Sequence, residues 1–230
     1  MVERISTGFR PLDEILGGGI DSETITEVYG EAGSGKTNLA MMLARSAISS
    51  GKKAVYIDTE GISIERLQQI CGDDFDIMME DMMIRHVYTL PEQDRAVEKA
   101  IEIAKNGKVG LIVVDSMTGL YRLNLGTEEE SGGMRSLTRQ MIGLLTAARR
   151  YELAVFITNQ VYTDRQRGEY RPIGGHVVDH YAKTIIRLDK LRDGRRRAVV
   201  TKHRSVREGG FTEFRIVEDG FSTLSERNSN

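Results

Sequence analysis

Thr24-Ile25-Thr26-Glu27-Val28-Tyr29-Gly30-Glu31-Ala32-Gly33-Ser34-Gly35-Lys36-Thr37 decides how the rest of the chain is read. Thr24–Tyr29 is a short run rich in β-branched and aromatic residues, the signature of a strand. Gly30 to Thr37 matches G-x-x-x-x-G-K-[ST] in full. Asn38–Ser50 then carries apolar residues near helical spacing. Strand, glycine loop and helix in that order are the context in which this motif wraps phosphates. Gly30, Gly33 and Gly35 let backbone N–H groups point inward, where side chains would block the anion; Glu31, Ala32 and Ser34 complete the loop. The helix adds its positive end. Lys36 places a point charge on the β- and γ-phosphates. Thr37 offers a hydroxyl to Mg²⁺, which takes oxygen ligands in near-octahedral array. A nucleoside triphosphate with Mg²⁺ is the expected ligand.

Outward from this motif, strand-like runs recur at Ala54–Asp58, Met83–Tyr88, Gly110–Asp115 and Leu153–Thr158. Helical spacing recurs at Pro91–Lys105 and Met134–Tyr151. Alternation of the two predicts a mostly parallel sheet with helices on both faces. Gly110–Asp115 has almost no polar alternation, as a strand buried on both sides requires. After Gly175 the pattern changes. Thr184–Leu188, Arg197–Lys202 and Phe211–Val217 read as strands joined by short polar turns, which predicts an antiparallel extension of the sheet.

Ligands bind such sheets beyond the carboxyl ends of the parallel strands. Asp115 ends the buried run and is expected to hold Mg²⁺ there through a water rather than to cap a following helix, a job that Ser116 could do instead. Glu60 closes Tyr56-Ile57-Asp58-Thr59-Glu60, where a carboxylate can orient or deprotonate an attacking water, or simply face solvent. Gln160, after Ile157-Thr158-Asn159, can bond a γ-phosphate oxygen and release it on hydrolysis, though an Asn-Gln pair after a strand is by itself a thin signal.

With 230 residues, 40% of them hydrophobic and 29% charged, the chain has the material for one sizeable domain. That domain is expected over residues 1–225, with a polar frayed tail at 226–230. No apolar run reaches the length of a membrane span, and Met1-Val2-Glu3-Arg4 lacks the order of a signal peptide. Cys71 is the only cysteine, which points to a reducing cytoplasm. Net charge is −2, but Lys183–Arg207 holds ten Lys/Arg against Asp189 and Asp193, a local +8 that leaves −10 for the remainder. Such a block either binds a polyanion or is a solvated face.

From Ile5 to about Leu224 the chain resembles the RecA-superfamily core as found in the archaeal RadA recombinases. The resemblance is carried by Ser6-Thr7-Gly8-Phe9, Leu12–Ile20, the phosphate loop, Tyr56–Gly61, Val113–Ser116, Leu120-Tyr121-Arg122, Ile157–Val161 and Pro172–Gly175. It implies a RecA-like P-loop ATPase core that binds ATP and Mg²⁺. Absence of a match to the helical N-terminal domain and docking linker of RadA makes the chain look like a core-only paralogue. Thr201-Lys202-His203-Arg204 is similar to the Lys-His-Arg signature of that group. The resemblance makes Glu60 the water-activating base and Gln160 the γ-phosphate sensor. Arg66 matches the adenine-stacking arginine if one residue is deleted, and is otherwise an exposed helix charge. His180 falls where a residue faces the neighbouring subunit's γ-phosphate, or is an ordinary packed histidine.

Departures from the family pattern set the functional expectation. After Arg122 the first DNA loop runs into Glu128-Glu129-Glu130, which would repel a phosphate chain. The second loop, Val161–Arg171, is shorter than in a full recombinase, although Arg165, Arg167 and Arg171 keep it basic. A stable filament and strand exchange are therefore not expected; a dimer or weak oligomer and slow ATP turnover are. The reading is an ATP- and DNA-binding accessory protein of recombination and repair, cytoplasmic and nucleoid-associated, working beside RadA. Lys202, His203, Arg204, Arg195, Arg196 and Arg197 would contact single-stranded or branched DNA. Two other readings stand: a KaiC-like signalling ATPase, and an ATP-latched interaction module for which the Met-rich stretch Ile77–Met83 could serve as an adaptable partner surface, although such residues are expected to be core.

Overall fold

The computed structural model describes residues 3–124, 130–164 and 169–224. Strand β1 (Arg4–Ile5) pairs antiparallel with β2 (Ile20–Asp21) on either side of helix α1 (Arg10–Leu16). The Asp13 carboxylate locks this entry. It accepts from Ser6 Oγ at 2.5 Å and from both the backbone N and Oγ1 of Thr7 at 2.7 Å. The chain then runs through β3 (Ile25–Gly30), α2 (Lys36–Ser49), β4 (Lys53–Asp58), α3 (Ile64–Cys71), α4 (Phe75–Asp81), β5 (Met82–His86), α5 (Leu90–Ala104) and β6 (Val109–Asp115). Ser63 caps α3 and Thr89 caps α5, each side chain accepting a first-turn N–H. A short 3-10 turn at Tyr121–Asn124 precedes α6 (Glu130–Arg150) and β7 (Ala154–Asn159). Next come β8 (Val161–Asp164), β9 (Glu169–Pro172), α7 (Gly175–Tyr181), β10 (Ala182–Lys190), β11 (Arg195–Lys202), β12 (Phe211–Val217) and β13 (Gly220–Ser222).

Nine strands form the central sheet in the order β13-β12-β11-β10-β3-β7-β6-β4-β5. The six from β10 to β5 are parallel, and β11, β12 and β13 extend the sheet antiparallel. Core fills both faces. Val28, Leu39, Met42, Tyr56, Leu111 and Phe156 belong to one apolar layer with α1 to α4. Ile57, Val97, Ile112, Leu144 and Ile157 belong to the other, with α5 and α6. Burial on both sides explains why β6 reads as an unbroken apolar run.

Every strand and helix expected from the sequence is present, with ends shifted by a few residues. One feature differs, and the Met-rich stretch is core as expected. The segment after Gln160 was expected as a basic loop, but its arms are the antiparallel ribbon of β8 and β9, registering Tyr162 with Arg171. In the Met-rich stretch, Met78 and Met82 are buried and Met79 and Met83 pack against the core, leaving Ile77 exposed. That stretch is mostly core, not a methionine surface.

The C-terminal extension buttresses the phosphate loop. Phe214 and Phe221 stack at 4.0 Å between centroids, and each ring lies 6.0 Å from Phe9 of the α1 entry. A Cβ built on Gly35 would meet the Phe221 ring at 3.2 Å. Truncating Phe214, which is fully buried, is expected to cost about 3–5 kcal/mol. Urea denaturation of Phe214→Ala at pH 7 measures that loss.

Candidate nucleotide site

Four parallel strands deliver polar residues to one edge of the sheet. β3 ends at Gly30, β4 leads to Glu60, β6 ends at Asp115, and β7 leads to Gln160. Gly30 is there because Leu188 O would lie 2.3 Å from any Cβ at that position. Gly35, at φ +108°, turns the chain into α2 in a conformation that only glycine adopts readily. Glu31, Ala32, Gly33 and Ser34 form the loop between them. The Ser34 hydroxyl is buried and without a partner among the described residues. Lys36, 8% exposed, donates to the carbonyl oxygens of Gly30 at 2.9 Å and Glu31 at 3.0 Å. Burial lowers its pKa, and the nearby Glu60 and Asp115 carboxylates oppose that shift. A buried ammonium served by two carbonyls and a buried unpartnered hydroxyl are the two features that a bound phosphate chain would complete.

Asp115 is 2% exposed and accepts hydrogen bonds from Tyr56 Oη at 2.7 Å and from Thr158 Oγ1. Burial raises its pKa, while hydrogen bonds from Thr158, Tyr56 and Thr37 pull it down. The Thr37–Asp115 pairing brings together the two oxygens expected to serve Mg²⁺. Glu60 Oε1 accepts from Gln160 Nε2 at 2.6 Å. The expected base and the expected sensor thus meet, although β6 separates β4 from β7 in the sheet.

Asp58 is a part of this edge that sequence reading missed. Its buried carboxylate accepts from the backbone N–H of Glu60, Gly61 and Ile62 at 3.1, 2.9 and 2.8 Å, and contacts His86 Nδ1 at 2.8 Å. It shapes the turn that presents Glu60. The available signal was an Asp two residues before a Glu-Gly pair at a strand end. Asn159 and Glu27 were also missed. Asn159, 0% exposed, donates to Glu27 Oε1 at 2.8 Å and to Ile173 O at 2.7 Å.

Other candidates are dispersed. Arg66 spends its donors on Asn38 Oδ1, Gln69 Oε1 and the carbonyls of Val217 and Glu218, tying α3 to α2 and to the turn after β12. His180 stacks edge-on against Tyr181 at 5.0 Å on the exposed side of α7. Arg122 is exposed in the turn at 121–124. Arg171 lies on β9; Arg165 and Arg167, like the tail at 226–230, fall outside the described residues.

Four cations of the basic block are paired with acids from remote sequence. Arg195 and Arg197 pair with Glu213 at 3.4 and 2.7 Å. Lys202 pairs with Asp179 at 3.6 Å, and Arg204 with Asp21 at 2.9 Å, which also holds Arg4 at 2.8 Å. His203 Nδ1 accepts from the backbone N–H of Ser205 and Val206, each at 3.1 Å. Arg196 instead bonds the carbonyls of Gly194 and, at 3.3 Å, Gly33 of the phosphate loop. Arg195 and Lys202 sit at opposite ends of β11, ~23 Å apart for seven residues of strand.

A family model described as Rad51 matches residues 1–223. The DNA repair and recombination protein RadB of Methanococcoides burtonii is 43% identical over 219 residues, covering 95% of this chain and 97% of that protein. RadB of Thermoplasma acidophilum is 43% identical over 222 residues, covering 96% and 95%. A crystal structure of the RadB recombinase superimposes with TM-score 0.83 at 33% identity, over 96% of this chain and 100% of that one. Among the described residues no helix is long and apolar enough to cross a membrane.

Because Asp21 is 1% exposed, Arg204→Ala removes half the charge pairing of a buried carboxylate. It is expected to cost about 1–2 kcal/mol, whereas Arg207→Ala, at an exposed position, should stay within about 0.5 kcal/mol. Chemical denaturation of the two variants side by side checks this.

Proposed function

The chain belongs to the Rad51 family, in its RadB group, and from that premise we propose that it is an ATP- and DNA-binding accessory or regulatory protein of homologous recombination and DNA repair. Its ATPase is weak and it carries out no strand exchange of its own. The observation that carries this reading is the meeting of Lys36, Thr37, Asp115, Glu60 and Gln160 at one sheet edge, with Gln160 directly preceding the ribbon of β8 and β9.

When bound, ATP–Mg²⁺ supplies the phosphoanhydride bond to be cleaved. Backbone N–H groups of the loop and Lys36 hold the triphosphate. Thr37 and Asp115 hold Mg²⁺. Glu60 takes the proton of an attacking water. Its bond to Gln160 restrains that carboxylate, which favours slow turnover. Gln160 passes the state of the site to the ribbon behind it.

DNA is taken by Arg122, Arg165, Arg167 and Arg171 of the two loop segments and by Arg195, Arg196 and Arg197 at the same sheet edge. Lys202, His203 and Arg204 add a second contact further along β11. Pairing with Glu213, Asp21 and Asp179 reduces the charge that these side chains offer. Moderate affinity, a dimer or weak oligomer rather than a filament, action beside the RadA recombinase, and a cytoplasmic, nucleoid-associated location follow from this reading.

Two measurements test it. Lys36→Ala should abolish ATP binding, whereas Glu60→Gln should bind ATP normally and lose about 100-fold or more in hydrolysis; hydrolysis by Glu60→Gln at the parental rate contradicts the assignment of the base. Affinity for single-stranded DNA should fall steeply with salt. Replacing Arg196 and Lys202 together by alanine should reduce that salt slope by about two, and an unchanged affinity rejects this interface.

A further inference from the structure

Glu27 lies in the middle of β3, three residues before the phosphate loop, in a strand buried on both faces. It is 1% exposed. A carboxylate in such a place costs stability unless something holds it. Oε1 accepts from Asn159 Nδ2 at 2.8 Å, and Oε2 is buried without a partner among the described residues.

Asn159 is a junction. The nitrogen that serves Glu27 also donates to Ile173 O, where the chain leaves the β8–β9 ribbon, at 2.7 Å. Its Oδ1 accepts from Thr118 Oγ1. Thr118 O in turn accepts from Arg122 N at 2.9 Å, which starts the turn at 121–124. Ile173 N donates to Gln160 O at 3.0 Å. One amide therefore ties β3 to the roots of both loop segments, beside the residue read above as the sensor.

We propose that Glu27 is a positioning residue whose hydrogen bond to Asn159 sets the placement of Gln160 and of both loop roots, and whose gain or loss of a proton switches that placement. The role of Gln160 rests on the function proposed above; the geometry of the junction does not.

Charge and burial make the switch work near neutrality. Burial raises the Glu27 pKa from the usual 4.5 to about 7; the Asn159 bond pulls it down, Asp179 on α7 pushes it up, and Lys202 on β11 pulls it down. When protonated, the group is neutral and its Oε1 still accepts from Asn159. Ionised, it gains from the Asn159 bond and from Lys202, but these do not offset the burial of the charge, which favours arrangements that admit water or draw Lys202 closer. The native carboxyl holds its proton more tightly than the unfolded one. The stability it contributes is complete below pH 4.5 and lost as pH rises through about 7. Above that, the junction loosens.

Hydrogen–deuterium exchange on the full chain without nucleotide or DNA tests the proposal at pH 6, 7 and 8. Rates at the Ile173 and Arg122 amides are divided by the unstructured-chain rate at each pH. Protection at both should fall about tenfold from pH 6 to pH 8, as the ionised fraction of a group titrating near 7 rises. Glu27→Gln keeps the acceptor for Asn159 and cannot ionise, so its protection should stay at the pH 6 level throughout. Glu27→Ala should be poorly protected at every pH. A wild-type profile flat in pH, or a Glu27→Gln profile that keeps the wild-type slope, overturns the proposal. Should Glu27→Ala not fold, the glutamine variant decides alone. The kcat of ATP hydrolysis, where measurable, should follow the same pH profile in wild type and lose it in Glu27→Gln. Exchange at the loop roots needs no ATP, so loss of the ATPase reading and loss of this one are separate results.

Discussion

An ammonium group buried at the carboxyl edge of a parallel sheet, held by two carbonyl oxygens, is the constraint on which the rest of this protein depends. Lys36 is placed there as the first residue of α2, straight after a glycine turn. Keeping it charged requires negative charge nearby, and Glu60 and Asp115 supply part of it. The remainder fits an anion in the loop. The edge is organised around that need. Asp58 shapes the turn beneath Glu60, Tyr56 and Thr158 hold Asp115, and Gln160 holds Glu60.

The same edge is tied mechanically to its surroundings on two sides. Phe221 packs under Gly35, so the antiparallel extension supports the phosphate loop from behind. Arg196 reaches Gly33 O from β11, linking the basic strand to the loop itself. On the other side, Asn159 joins the sensor position to both loop roots. A change at the phosphates thus has short, bonded routes to the segments proposed to meet DNA.

Legibility of this arrangement in the sequence followed physical cause. The parallel strands were readable because burial on both faces demands unbroken apolar runs, as in β6. The phosphate loop was readable because its chemistry fixes residue type at fixed spacing. The ribbon of β8 and β9 was not, since two short arms of mixed polarity lack a hydrophobic face of their own. Glu27, Asp58 and Asn159 look unremarkable in sequence; Glu27 and Asn159 meet across 132 positions, and Asp58 joins its own turn to His86, 28 positions away. The basic block was legible as a charge count but not as a free surface, because Asp21, Asp179 and Glu213 reach it only in the fold.

The most direct test is a crystal structure with a non-hydrolysable ATP analogue and Mg²⁺. The triphosphate should sit on the backbone N–H groups of Gly33 to Thr37, with Lys36 Nζ drawn off the carbonyl oxygens of Gly30 and Glu31 onto phosphate. Lys36 still bonded to both carbonyls, with the analogue bound elsewhere or not at all, would contradict it.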